Sequence, residues 1–96
     1  MAFDERKIIK DVRAVFSRHR MEHRPLRMTY KRGRLNVMGK LLPVGSTESP
    51  AGEHARGFIK TLRILEEEIL RMNAVNQVMW DIYEWELVGT EWKRKR

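Results

Sequence analysis

His19 and His23 stand four apart with Glu22 between them, the spacing that lets two imidazoles on one helix face ligate zinc. The helix that would carry them is expected to stop before Pro25, because the residue preceding a proline resists helical geometry. No third strong ligand follows at a useful spacing, so His19 reads as a helix-end residue and His23 as a loop residue. The carboxylates of Glu66, Glu67 and Glu68 are consecutive. On a helix they point about 100° apart, so they cannot converge on one substrate atom. They read as a solvated face with ion pairs such as Glu67–Arg71. Ser17, Ser46 and Ser49 lack a G-x-S-x-G setting, and the chain has no phosphate-cradling G-x-x-x-x-G-K-[ST]. Cysteine is absent, which removes thiolate ligands, thiol nucleophiles and disulfides. The expectation is a chain with no catalytic residue, metal, cofactor or small-molecule substrate.

What remains chemically pointed is charge. The 96 residues carry a net charge of +7, unevenly placed. Residues 18–34 hold Arg18, Arg20, Arg24, Arg27, Lys31, Arg32 and Arg34 against Glu22 alone. Lys93, Arg94, Lys95 and Arg96 close the chain, and the stretch between these two blocks is acidic on balance. Clustered cations raise the local potential and draw in anions, and arginine pairs with phosphate in bidentate fashion. These eleven side chains are the candidate anion-binding set.

The elements that must position them follow from periodicity. Ile8, Ile9, Val12, Val15, Phe16 and His19 form one face of an amphipathic helix with Asp4 as N-cap, ending near residues 20–22. Leu26, Met28 and Tyr30 alternate with polar residues, as do Leu35, Val37, Gly39 and Leu41. The two runs make a hairpin turning at "KRG" and ended by Pro43 and Gly45. Ser49–Pro50 is a helix start, and Ala55, Phe58, Ile59, Leu62, Leu65, Ile69 and Met72 mark the buried face that follows. A third strand is read from about Gln77 to Val88, with Val78, Trp80 and Ile82 toward the helices. Met79, Tyr83 and Trp85 then face outward beside Met38; if the register slips at a bulge, Trp85 is core instead. The tail after Gly89 has no apolar period and is expected to be flexible.

The length suits one small domain. The expected class is α+β, in the order α-β-β-α-β, with a three-stranded mixed sheet and both helices packed on one face. Residues 1–89 form the domain and 90–96 the basic tail. The chain as written has no apolar leader and no run near the ~20 residues of a membrane span, which points to the cytoplasm. A leader removed earlier would make the periplasm the compartment.

"GRLNVMG", with Gly33 and Gly39 six apart around an alternating strand, resembles the hairpin of BON domains, a bacterial α-β-β-α-β module. "NAVNQVMWDI" is similar to the family's second motif, with Val75, Val78 and Ile82 at its steps. The likeness covers about residues 3–88. Ala74 stands where members usually have glycine, and Trp80 and Trp85 where they usually have polar residues. The resemblance implies a binding module without catalytic residues, found in bacterial envelope proteins and proposed to contact phospholipid membranes. It also makes Gly39 a point where a helix approaches the sheet; a β-bulge is the other reading.

Three partners fit the residues. An anionic membrane surface would meet the basic blocks, with Trp92 dipping into the lipid interface. A protein partner or second copy would use the open sheet face or an exposed strand edge. RNA would track the cations and stack on the outward aromatics.

Overall fold

The computed structural model describes residues 4–46, 53–89 and 91–94. Helix α1 is Glu5–Arg18, and the Asp4 side chain accepts the Arg6 backbone N–H at 2.9 Å, capping it as expected. A two-residue strand β1, Met21–Glu22, follows. Strands β2 (Arg27–Lys31) and β3 (Arg34–Gly39) make the hairpin. Its two-residue turn, Arg32–Gly33, has φ 49° and 84°, the paired positive values that match the twist of the flanking strands. The hairpin was expected to run on to Pro43. It stops at Gly39, and β4 (Leu42–Pro43) turns back to pair with β1 in a small separate ribbon.

Helix α2 spans Glu53–Leu70. The expected Ser49–Pro50 start lies outside the described residues. Strand β5 is Gln77–Ile82, β6 is Trp85–Val88 and β7 is Glu91–Arg94. The sheet order is β2-β3-β5-β6-β7. β3 and β5 pair in parallel through the α2 crossover, while the other neighbours are antiparallel. The class is α+β with a mixed sheet, and the sheet has five strands, not three.

The two extra strands of this sheet, β6 and β7, lie at the C-terminal end of the chain. The run read as a single strand to Val88 breaks at Tyr83–Glu84, where Glu84 takes φ 70° and Ile82 pairs with Trp85. Residues 91–94, expected in a flexible tail, form β7 against β6, with Trp85 opposite Arg94 and Leu87 opposite Trp92.

Both helices lie on one face. Phe16 of α1 stacks on Trp80 at 6.3 Å, and Phe58 of α2 meets Trp85 at 5.2 Å. Leu35, Val37, Leu62, Leu65, Ile69 and Ile82 fill the layer between and are buried, as are Val75 and Val78. Burying each such side chain stabilises the fold by about 1.5–3 kcal/mol. No helix among the described residues is long and apolar enough to cross a membrane.

Candidate anion-binding face

Period-two alternation sends every second strand residue away from the helices. On β2 these are Arg27, Thr29 and Lys31, all exposed. On β3 they are Arg34, Asn36 and Met38, and on β5 Gln77, Met79 and Asp81. Register lays them in rows: Lys31, Arg34 and Gln77; then Thr29, Asn36 and Met79; then Arg27, Met38 and Asp81. The hairpin half of this open face therefore carries Arg27, Lys31 and Arg34, with Arg32 exposed in the turn beside them. No carboxylate lies on β2 or β3, and none of these four cations belongs to an ion pair among the described residues. Asn36 Nδ2 donates to Thr29 Oγ1 at 3.2 Å, fixing a polar patch between the cations.

The other expected cations lie elsewhere. Arg18 is held by Glu68 at 3.0 Å, on the helix side. Arg24 bonds Glu22 through both Nε and Nη2, at 3.0 Å each. Those bonds hold the Glu22 carboxyl down at about 2, well below the usual carboxylate range. Arg20 is exposed in the turn after α1, with φ 56°. Lys93 is exposed on β7, and Arg94 pairs with Glu84 at 3.2 Å. Lys95 and Arg96 fall outside the described residues. The structure thus gathers four of the eleven onto one surface.

Of the two readings of Trp85, the structure agrees with the core one and not with the outward one. Met79 and Tyr83 are exposed and Met38 is half-buried, but Trp85 is buried. The turn at Tyr83–Glu84 resets the alternation, so Trp85 sits beside Ile82 on the inner face. Trp92, read as a tail residue that could enter lipid, is also buried, edge-on to Trp80 at 5.5 Å. Tyr83 itself lies in the turn at the end of β5.

Two glycines frame the site. Gly33 bends the hairpin, and a Cβ there would meet Asn76 Nδ2 at 2.6 Å. Its carbonyl accepts the Asn76 and Gln77 N–H groups at 2.8 and 3.2 Å. Gly39 has φ 122°, and a Cβ would stand 3.0 Å from the Pro25 carbonyl oxygen. The close neighbour is the backbone leading into β2, not a helix. The Gly39 carbonyl accepts the Tyr83 N–H at 2.8 Å.

The residues weighed for other chemistry are dispersed. His19 Nε2 lies 2.8 Å from Glu68 Oε1, while His23 faces Ser17 and Arg13, so the two imidazoles do not share a site. No group of three or more metal-binding side chains exists among the described residues. Glu68 takes His19 and Arg18, and Glu66 accepts the Trp80 indole N–H at 2.7 Å. The expected Glu67–Arg71 pair is not among the ion pairs of the described residues. Hydrogen bonds from His19 and Arg18 hold the Glu68 carboxyl below its ordinary value.

Ser17 Oγ lies 2.9 Å from His23 Nε2, a distance that suggests nucleophile activation. Arg13 Nη1 stands 3.2 Å from Nδ1 of the same ring. A guanidinium only donates, so Nδ1 accepts and the ring proton sits on Nε2, pointing at Ser17. In that tautomer His23 cannot take the serine proton. Arg13 also donates to the carbonyls of His23 at 2.7 Å and Leu26 at 3.0 Å, pinning the turn that feeds β2. Sequence reading missed Arg13, whose partners are mostly backbone and leave no pattern.

No protein-family model, curated protein or solved structure matches the chain.

Proposed function

We propose that the protein is a small non-enzymatic binding module of BON-like type that holds an anionic surface, phospholipid head groups, through its β2–β3 hairpin. The observation that carries this is the set Arg27, Lys31, Arg32 and Arg34, in no ion pair among the described residues and adjoining on one exposed hairpin with no carboxylate on either strand. Cations that neutralise no internal partner keep their full attraction for an external one. The polar Thr29–Asn36 pair and exposed Met79 beside them suit the mixed chemistry of a head-group layer. The likeness of "GRLNVMG" to the BON hairpin supports the same reading. With Trp85 and Trp92 in the core, base stacking on the open face has no tryptophan platform, which disfavours RNA.

The test is vesicle flotation with phosphatidylglycerol-containing and pure phosphatidylcholine vesicles. The protein should float with the anionic vesicles alone and release as salt rises. Each cation near such a surface contributes ~1 kcal/mol, so changing all four to Gln should weaken partitioning by ~100-fold or more. Arg18→Gln and Arg24→Gln should leave it nearly unchanged. Absence of binding at low salt, or tighter binding to single-stranded RNA than to vesicles, would refute the proposal.

A further inference from the structure

The two edges of the sheet are finished differently. At the β2 edge the Glu5 carboxylate accepts the Tyr30 backbone N–H at 3.2 Å, so α1 satisfies a group that another strand would need. At the β7 edge, β6 is the only strand neighbour among the described residues. The helix layer does not crowd that edge: a cleft of about 380 Å³ lies beside it, walled by Trp92 and Gly89 and by Arg63 and Glu67 of α2.

The side chains along β7 bear on what that edge accepts. Glu91 and Lys93 point to the open face and Trp92 to the core. An edge guarded against pairing carries like charge, which repels a second copy. On its open face this one carries one charge of each sign, Glu91 and Lys93, two residues apart, while Arg94 pairs with Glu84. A two-fold axis through Trp92, perpendicular to the sheet, would set two β7 strands antiparallel. Glu91 would then face Lys93 of the second copy, and Lys93 its Glu91, with both pairs on the same face. Opposite charges directly across an antiparallel pair attract.

We infer that a second copy of this chain docks edge to edge at β7, in the register that centres on Trp92, to form a continuous ten-stranded sheet. The operation keeps both helix layers on one side and both open faces on the other. The two β2–β3 hairpins then lie at opposite ends, their centres roughly 38 Å apart, given about 4.8 Å between neighbouring strands. If those hairpins hold an anionic surface, a point that rests on the function proposed above, the dimer engages it twice.

The test is sedimentation equilibrium of the full chain, with Glu91→Lys, Lys93→Glu and the exchanged double variant. Circular dichroism confirms that each folds, as exposed positions should allow. The wild type should self-associate with rising concentration. Either single variant sets like charges opposite each other and should raise the dimer dissociation constant by at least ~10-fold. The double variant regenerates both attractive pairs and should behave as the wild type. An equimolar mixture of the two single variants should associate although neither does alone. A wild type still monomeric at ~0.5 mM overturns the inference, since association weaker than that is negligible. So does a mixture that stays monomeric, or single variants that dimerise like the wild type. Vesicle flotation of Glu91→Lys, with its hairpin intact, separates this failure from failure of the anion-binding reading.

Discussion

The β2 end and the β7 end of the sheet are built from the same kind of strand and solve opposite problems. At the β2 end the Glu5 carboxylate takes one edge N–H, and the charged residues of the open face on β2 and β3 are all basic. At the β7 end no strand among the described residues pairs with the outer edge, and the open face carries Glu91 and Lys93. One end presents like charge beside a border that a helix side chain partly occupies, and the other carries both signs beside its border.

The largest way to break this contrast is Trp92→Ala. Removing a buried tryptophan from between Leu87 and Trp80 should cost ~3–5 kcal/mol, read by urea unfolding. Amide exchange should rise first in β6 and β7 while β2 and β3 stay protected. Gly39→Ala strikes where the two ends join. It forces a side chain into φ 122° against the Pro25 carbonyl and should cost ~1–3 kcal/mol, loosening both ends together. At the β2 end, Tyr30→Phe leaves the Ala74 carbonyl without the phenol that donates to it. It should cost ~1–2 kcal/mol in thermal or urea unfolding and spare β7.

The smallest effect is in pH. The Glu68 carboxyl sits below its ordinary value, so its pairing with His19 and Arg18 stabilises the fold above the unfolded value near 4.5. That contribution fades as pH falls through the lowered folded value. Glu68→Gln should therefore lower stability by a near-constant amount above the unfolded value near 4.5 and flatten the acid limb, the two stability-against-pH curves converging at low pH.

The sequence made the β2 end easy to read and the β7 end hard, for physical reasons. Long periods are loud: Ile8, Val12, Val15 and Phe16 on α1 and Phe58, Leu62, Leu65 and Ile69 on α2 are buried as their spacing demands. The hairpin turn was legible because Gly33 announces it. The β5–β6 turn is silent, since neither Tyr83 nor Glu84 is a turn residue by type, and Glu84 reaches positive φ without glycine's freedom. Missing that turn inverted the parity of everything after it, which placed Trp85 outside. β7 shows one apolar residue in four, too short for any period, and the β1–β4 ribbon has two residues a side. In the site, charge density was legible but charge pairing was not. Arg18 and Arg24 look like Arg27 and Arg34 in sequence, and only folding puts Glu68 and Glu22 against the first two.

The carbonyls of Gly33 and Gly39 also bear on the order in which the chain assembles. They hold the two ends of β5, through Asn76 and Gln77 at one and Tyr83 at the other. Those bonds form only after residues as distant in the chain as Arg34 and Gln77 have met, whereas the hairpin that presents both carbonyls closes through a two-residue turn. Closing the longer loop carries the larger entropy cost and so falls late. The hairpin should be the early template and β5 docking the slow step. A mutation at either glycine would then show itself first as a change in folding rate.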